Sequence, residues 1–301
     1  MNPRTPPAEV AVDVGLGRRL LAAQHPDLAS LPLALADEGW DNVTMRLGEA
    51  LALRLPRRHV AAALIRHEQV WLPRLATRLP IPVPAPLRLG EPAEGYPWPW
   101  SVVPWFEGET AARATPDAGE AERLADFLHA LHRPAPGDAP VNPFRGKPLA
   151  ARDADTRARM ARVGARVGAG GVVIGAEMTD LWGRALEVAI PGRRVWIHGD
   201  LHARNVLVAG GRLAAVLDWG DITAGDPATD LAAFWLLFDG AAARQAGLAR
   251  YGADPALRLR AMGWALAMGL IHLDTGLADH PAHARIGRAT LARLAEDLRA
   301  G

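Results

Sequence analysis

The spacing of apolar residues changes several times within the first hundred positions. In residues 8–24 apolar side chains recur at helical spacing, which predicts a helix. From residue 31 the pattern becomes a series of short apolar runs split by the turn-forming segments 38–41 and 48–49, which is typical of antiparallel strands. The strands predicted here are Leu31–Leu35, Asn42–Leu47 and Leu51–Leu55.

A second helix is predicted after these strands, from Arg57 to Arg78, with Pro73 inside it as a point of kinking or early termination. Alternate prolines keep residues 80–86 extended. Two further apolar runs predict strands at residues 87–90 and 98–103. The first third of the chain is therefore predicted to be a five-stranded unit with one internal helix.

Helical spacing dominates the rest of the chain and is interrupted by one β-rich stretch. The short strands predicted there are Arg194–His198, Asn205–Val208 and Leu213–Leu217, and a tight turn at 209–211 joins the last two. The predicted helices cover residues 119–132, 147–167, 176–189, 229–250, 255–275 and 281–299.

These elements predict an α+β chain with two lobes. Residues 1–103 would form a small antiparallel-sheet lobe, and residues 104–301 a larger, mainly helical lobe, with a hinge at about 102–108. A length of 301 residues suits such a division better than a single core.

Composition and charge exclude several classes of protein. Of all residues 50% are hydrophobic and 22% are charged, which is globular composition, and a net charge of +1 gives no reason to expect a nucleic-acid partner. Without cysteine there are no disulfides, thiolate metal sites or cysteine nucleophiles. No secretory pattern and no bilayer-length apolar stretch is visible, so we expect a cytoplasmic protein without a membrane partner. The oligomeric state is not specified.

The basic residues are unusual in kind. There are 34 lysines and arginines, and only Lys147 is a lysine. Lys147 lies in the turn-rich segment 142–148, where we expect a solvated side chain. Any function that requires a lysine must therefore use Lys147 or do without one.

Three polar residues in the β-rich stretch form the strongest candidate for chemistry. Asn205 follows Asp200 by five positions, and Asp218 follows after a predicted hairpin, which should bring Asp218 back towards Asn205. Oxygen side chains of this kind suit Mg²⁺, which keeps substrate phosphates among its ligands. The order also matches phosphoryl transfer, in which one loop Asp accepts the acceptor's proton while an Asn and a second Asp hold metal.

The segment 196–231 resembles the aminoglycoside phosphotransferase family, whose members are small-molecule kinases with a protein-kinase-like fold. The likeness rests on His-x-Asp-x-x-x-x-Asn at 198–205, Asp-x-Gly at 218–220 and the run Gly225–Leu231, and the N-terminal pattern extends it over most of the chain. The resemblance implies that Asp200 is the catalytic base and that Asn205 and Asp218 are Mg²⁺ ligands. His198 is expected to brace the loop, and Asp226 and Asp230 to cap and brace the helix that starts near Thr229.

A kinase of this type needs a cation on its third strand, anchored by a helix Glu, to hold the α- and β-phosphates. Arg54 is the only cation of residues 51–55, and Glu68 follows on the predicted helix. Arg54 thus stands where much of the family has lysine, and a guanidinium can bind phosphate while remaining charged when buried. The alternative is a surface arginine paired with a nearby acid.

The expected nucleotide is ATP, with GTP as an alternative. Asn42 and Thr44, between the first two strands, are candidate donors to phosphate oxygens, although the Gly-x-Gly-x-x-Gly run is missing and an ordinary turn is the alternative. The adenine is expected against backbone groups of the hinge at 102–106, which includes Val103 and Phe106.

The acceptor is left open by the sequence. The resemblance makes an aminoglycoside the default, and such a polycation requires an acidic pocket. A macrolide requires a more apolar cleft, and a hydroxylated metabolite is the third possibility. The aromatic residues available for an apolar cleft are Phe234, Trp235 and Phe238, and the acids available are Asp153, Asp155, Glu177, Asp239, Asp274 and Asp279.

Two readings from other classes compete with a kinase. A nucleotide-binding pseudokinase that serves as an interaction module is favoured only by the arginine at position 54. A two-metal hydrolase would use His198, Asp200 and His202, but the sequence lacks a second histidine cluster to support it.

Overall fold

The computed structural model describes residues 7–167, 174–190, 192, 194–278 and 280–300. The chain divides into two compact units. The first, called here the sheet unit, runs to Glu107 and also contains Leu217–Gly220. The second, the helical unit, comprises the described residues of Gly108–Val216 and Asp221–Gly301.

The sheet unit is a five-stranded antiparallel sheet with two helices. Its strands lie in the order β1-β2-β3-β5-β4, so the fourth and fifth strands exchange places relative to their order in the sequence. The elements are α1 (Val14–Gln24), β1 (Leu33–Glu38), β2 (Asn42–Leu47), β3 (Leu51–Pro56), α2 (His59–Ala76), β4 (Arg88–Gly90) and β5 (Trp100–Pro104).

Local chemistry sets the bounds of these elements. The first helix begins six positions later than expected, because the carboxylate of Asp13 accepts a hydrogen bond from Leu16 N at 2.7 Å and caps it. Alternate residues of β2 are buried, as expected for a strand with one face on the core. Pro73 lies inside α2, which ends within one turn of it.

Gly90 shows how tightly β4 and β5 pack. It pairs with Trp100, whose side chain is fully buried, and a Cβ at position 90 would overlap the Trp100 ring. We therefore expect Gly90→Ala to lower the free energy of unfolding by about 1–3 kcal/mol in denaturant titrations. Gly183→Ala is the matched control: a Cβ there meets nothing within 4 Å, and its helical position predicts a gain of about 0.5–1 kcal/mol. Equal stability of the two variants would contradict this packing.

The helical unit contains eight α-helices among its described residues, together with two small sheets. Strands β10 and β7 pair in one sheet, and the other has the order β6-β8-β9. A 3-10 turn at Leu149–Arg152 leads directly into α4. The elements are β6 (Glu109–Thr110), α3 (Glu120–Leu131), α4 (Asp153–Val167), α5 (Ala176–Glu187), β7 (Val195–Ile197), β8 (Val206–Ala209), β9 (Arg212–Val216), β10 (Thr223–Gly225), α6 (Ala228–Leu231), α7 (Ala233–Leu237), α8 (Ala241–Tyr251), α9 (Pro255–Gly276) and α10 (Pro281–Ala300).

Helix α9 forms the centre of this unit. It is apolar on nearly all sides because α4, α5, α6 and α10 surround it, and Asp254 caps its start by accepting from Leu257 N at 2.7 Å. None of the helices in the described part of the chain is long and apolar enough to cross a membrane.

The three strands predicted in the β-rich stretch are present and belong to two sheets, because β7 pairs with β10 and the β8–β9 hairpin pairs with β6. One sequence prediction for this unit is wrong in detail. The single helix expected over 229–250 is divided into α6, α7 and α8. The last break is stabilised by Arg244, whose Nη1 donates to the carbonyl oxygens of Phe238 and Asp239 at 3.1 and 2.7 Å and so satisfies groups that a continuous helix would have paired internally.

Candidate functional site

The loop between β7 and β8 is fixed by a carboxylate from α6. Asp230 is fully buried and accepts hydrogen bonds from the backbone N–H groups of His198 (2.7 Å) and Gly199 (2.8 Å), and His132 Nε2 lies 3.2 Å from it. Gly199 has φ +88°, and a Cβ there would lie 2.8 Å from Asp221 O, so the turn requires glycine. Asp230 therefore braces this loop, whereas the sequence suggested that it braces its own helix.

His198 and Asp226 occupy supporting positions. The buried His198 Nδ1 accepts from Asp200 N at 3.2 Å, which gives it a place in the loop's hydrogen bonding. Asp226 accepts from Ala228 N at 3.2 Å, near the start of α6, and pairs with Arg260 at 2.8 Å. Both residues act on backbone geometry.

Asp200 projects from this loop towards two basic side chains. Arg145 Nη2 lies 2.5 Å from one of its carboxylate oxygens, and His202 Nε2 lies 3.3 Å from the other. Burial opposes ionisation of Asp200, but the positive charge of Arg145 and the neighbouring His202 outweigh it and hold the pKa of Asp200 well below its usual range. The carboxylate is thus ionised and oriented while its side chain remains 25% exposed.

Sequence reasoning missed Arg145. Its guanidinium joins Asp200 to Asp221, 3.3 Å from its Nε, and Asn142 Nδ2 donates to the same Asp221 at 2.6 Å. Asn142 Oδ1 in turn accepts from Arg145 N at 3.0 Å, which shapes the turn that carries Arg145. No sequence signal distinguishes Arg145 from the many other arginines of this chain.

Asn205 is tied to the same loop. Its Nδ2 donates to Asp200 O at 2.9 Å and its side chain is largely buried, which leaves the amide oxygen as the atom suited to a cation. Asn205 directly precedes β8, whose first residue, Val206, pairs with Val216 near the end of β9. Asp218 follows that strand by two positions.

In the sheet unit, Arg54 joins two carboxylates. Its Nη2 lies 3.1 Å from Glu68 and 3.2 Å from Asp218, and Arg54 is only 7% exposed, which excludes a surface arginine. Burial raises the pKa of Glu68 to about 7 against the attraction of Arg54. Asp218 has φ 55°, a left-handed conformation that costs energy for a non-glycine residue and is common at functional sites.

The other nucleotide-site candidates fall on or after strands. Asn42 and Thr44 lie on β2 and not in the preceding turn, where the sequence suggested a phosphate-covering loop, because pairing with β3 extends back to Asn42. Thr44 is the cross-strand partner of Arg54. Val103 is buried on β5, and Phe106 follows that strand half-buried.

Lys147 is half-buried, contrary to the solvated side chain expected from its turn-rich segment. It lines a cavity of about 300 Å³ in the helical unit together with Arg145 and Arg194. Within the described residues no group of three or more His, Cys, Asp or Glu side chains is arranged to hold a metal ion.

Comparison with known proteins identifies relatives of the whole chain. A model of the phosphotransferase enzyme family matches residues 33–264. The solved GDP complex of wild-type aminoglycoside 2'-phosphotransferase-IIIa has 17% identity and a TM-score of 0.66, covering 95% of this chain and 100% of that one. The apoenzyme of macrolide 2'-phosphotransferase MphH from Brachybacterium faecium has 23% identity and a TM-score of 0.59, covering 93% and 97%.

A third solved structure, macrolide 2'-phosphotransferase type I, has 25% identity and a TM-score of 0.54, and the match covers 95% of this chain and 99% of that one. No curated protein matches in sequence. The predicted protein-kinase-like fold, with an antiparallel-sheet N-terminal part and a helical C-terminal part, is confirmed.

Proposed function

Because the chain belongs to the phosphotransferase enzyme family and is a small-molecule O-phosphotransferase, we propose that it transfers the γ-phosphoryl group of ATP, with GTP as the alternative donor, to a hydroxyl group. The observation that carries this proposal is the ionised carboxylate of Asp200, which Arg145 and His202 hold in place. It lies on a loop whose backbone donates hydrogen bonds to Asp230. A carboxylate so placed can accept a hydroxyl proton without first losing one of its own.

In the helical unit, Asp200 orients the acceptor hydroxyl and receives its proton as the acceptor oxygen bonds to the γ-phosphorus and the bond from that phosphorus to the β–γ bridging oxygen breaks, releasing ADP. The contacts with Arg145 and His202 keep the carboxylate in one orientation, which is the main requirement of a reaction governed by positioning. Arg145 also pairs with Asp221, so the charge of its guanidinium is divided between two carboxylates and is not taken up by Asp200 alone. Asn205 keeps the loop closed through Asp200 O.

In the sheet unit, Arg54 binds the α- and β-phosphates and Glu68 holds Arg54 in place. Asn42 and Thr44 remain candidates for phosphate contacts, and Val103 and Phe106 for adenine contacts. We assign Asn205 and Asp218 as oxygen ligands of Mg²⁺ from their spacing, and both offer the hard oxygen donors that this ion prefers. When bound, Mg²⁺ supplies charge neutralisation of the β- and γ-phosphates.

The test is acceptor-dependent ADP release from Mg·ATP with a panel of aminoglycosides, macrolides and hydroxylated metabolites. The family resemblance makes an aminoglycoside the default acceptor and a macrolide the alternative.

We expect EDTA to abolish turnover and Asn205→Ala to raise the Mg²⁺ concentration for half-maximal activity about tenfold or more. Gln245→Ala, an exposed amide on α8 that pairs with Arg258, is the control. A chain that binds no nucleotide and releases no ADP with any acceptor would contradict the proposal.

A further inference from the structure

Four of the acids that a polycationic acceptor could use are already paired with arginines. Asp274 is 3% exposed and lies within 3.5 Å of three guanidinium groups, those of Arg159, Arg162 and Arg166. Glu177 is exposed on α5, and Asp279 lies outside the described residues. The remaining pairs are Asp153 with Arg157, Asp155 with Arg159, and Asp239 with Arg293. Asp155 and Asp274 share Arg159, so these two acids already face a common cation.

The same region carries an excess of positive charge. Residues 152–166 contain five arginines and two aspartates, and the only further carboxylate that its ion pairs involve among the described residues is Asp274. Three guanidinium groups therefore share Asp274, and the arginines of this region outnumber its acids. A surface of this kind attracts anions and repels polycations over several ångströms.

Among the five arginines of residues 152–166, Arg152 is the one whose positive charge its surroundings oppose. It is half-buried, its Nε donates to Phe144 O at 3.2 Å, and its guanidinium lies 5.2 Å from the centre of the Trp264 ring. No acid pairs with it among the described residues. Burial and the neighbouring charge of Arg145 lower the pKa of Arg152 to about 10, although Asp155 and Asp200 attract it. A negative group placed beside Arg152 would relieve this opposition.

Arg152 is also close to the proposed base. Phe144, whose carbonyl accepts from Arg152, is the chain neighbour of Arg145, and Arg145 contacts Asp200 directly. On the other side of Asp200 lies His202, whose ring packs edge-on against His272 at 4.7 Å, so an imidazole pair and not an acid faces the carboxylate there. An acceptor that places a hydroxyl at Asp200 thus has basic groups within reach of the rest of its structure.

The cavity beside Arg145 is also lined by positively charged side chains. Its basic lining residues are Arg145, Lys147 and Arg194, whereas the one acid among its described lining residues, Asp226, is 2% exposed and paired with Arg260. The cavity is lined by the segment whose Phe144 carbonyl accepts from Arg152, so both features belong to one basic region near the base.

We propose that the acceptor is a hydroxylated molecule bearing an anionic group, a carboxylate or a phosphate, which Arg152 binds while the hydroxyl faces Asp200. The proposal rests on the proposed function and replaces its default acceptor, a polycation, with the opposite charge. Carboxylates and phosphates both suit a guanidinium, which offers them paired N–H donors.

The experiment compares acceptors that differ mainly in charge. Glucose, glucosamine, glucuronate, glucose 6-phosphate and kanamycin are titrated by calorimetry into the full-length protein saturated with Mg·ADP, and each is assayed for ADP release with Mg·ATP. We expect glucuronate or glucose 6-phosphate to bind more tightly than glucose, and glucosamine and kanamycin to bind more weakly. The comparison of glucuronate with glucose 6-phosphate shows whether the site prefers a carboxylate or a phosphate.

Variants at two arginines of one region then locate the contact. Arg152→Gln should weaken binding of the preferred anion at least about tenfold, the size of one lost charge-assisted contact, and Arg152→Lys should retain part of it. Arg157→Gln, on the exposed face of α4 and paired with Asp153, should leave it unchanged. Thermal melts and Mg·ADP affinity establish that each variant is folded.

Three results would overturn the inference: tighter binding of glucosamine or kanamycin than of the anions, no preference for either anion over glucose, or equal anion binding by Arg152→Gln and wild type. In each case ADP release with another acceptor would leave the proposed phosphotransfer standing. Loss of Mg·ATP binding or turnover by wild-type protein with every acceptor would instead count against the proposed function itself.

Discussion

Replacing Asp200 with asparagine should lower kcat by about 10²–10⁴-fold, because the amide keeps the size of the side chain but cannot accept the hydroxyl proton. The fall should appear in kcat more than in the KM for Mg·ATP, since Asp200 is proposed to act on the acceptor. Steady-state ADP release and calorimetric titration of Mg·ADP measure the two quantities separately. The structure supports this expectation because Arg145 and His202 hold the carboxylate in its ionised form.

Asp180→Asn is the matched control for this substitution. Asp180 is an exposed carboxylate on α5 paired with Arg184, so its loss should leave kcat and KM unchanged. If Asp200→Asn kept wild-type kcat with the best acceptor, Asp200 would not be the base, and Asp221, the other carboxylate on Arg145, would become the next candidate.

Sequence analysis placed best those elements whose limits are marked by residues of the segment itself. The strands β2 and β3 were predicted to within one residue because turn residues bound their short apolar runs. The strands β6 and β10 were missed because neither contains an apolar run, and their pairing depends on distant segments. The break before α8 was missed because Arg244, which binds the carbonyls there, is itself paired with Glu296 and Asp297 of α10, a contact that only the fold creates.

The candidate site divides in the same way. Asp200, Asn205 and Asp218 were found from spacing along the chain, and their roles stay predictions. Arg145 could not be found, because its contact with Asp200 spans 55 positions and arginine is frequent throughout. The bracing of the loop by Asp230 likewise requires a fold that brings α6 beneath β7.

Replacing Arg54 with methionine is expected to have the second large effect, on both stability and nucleotide binding. It would leave Glu68 buried without its cation, and breaking a buried ion pair costs about 3–5 kcal/mol. Loss of a charge-assisted phosphate contact should also weaken Mg·ATP binding by about 10–100-fold. Arg54→Lys keeps the charge and should lose much less of both quantities.

The stability loss should depend on pH. The pKa of Glu68 is raised to about 7 in the folded protein, above its ordinary value, so the folded state holds a proton that the unfolded state releases, and stability falls as pH rises through that interval. Without Arg54 the attraction that opposes this rise is gone, and the interval extends upward. Urea titrations should therefore show Arg54→Met more destabilised at pH 8 than at pH 5.5.

The double variant Arg54→Met with Glu68→Gln separates the two effects of Arg54. With no buried carboxyl at position 68, we expect part of the stability to be regained and the pH dependence due to Glu68 to disappear, while the weaker binding of Mg·ATP persists because the cation is still missing. Unchanged Mg·ATP affinity in Arg54→Met would show that the arginine has only a structural role. In that case an arginine at a position where much of the family has lysine would indicate an altered nucleotide site, and turnover would have to rely on other phosphate contacts such as those proposed for Thr44, the cross-strand neighbour of Arg54.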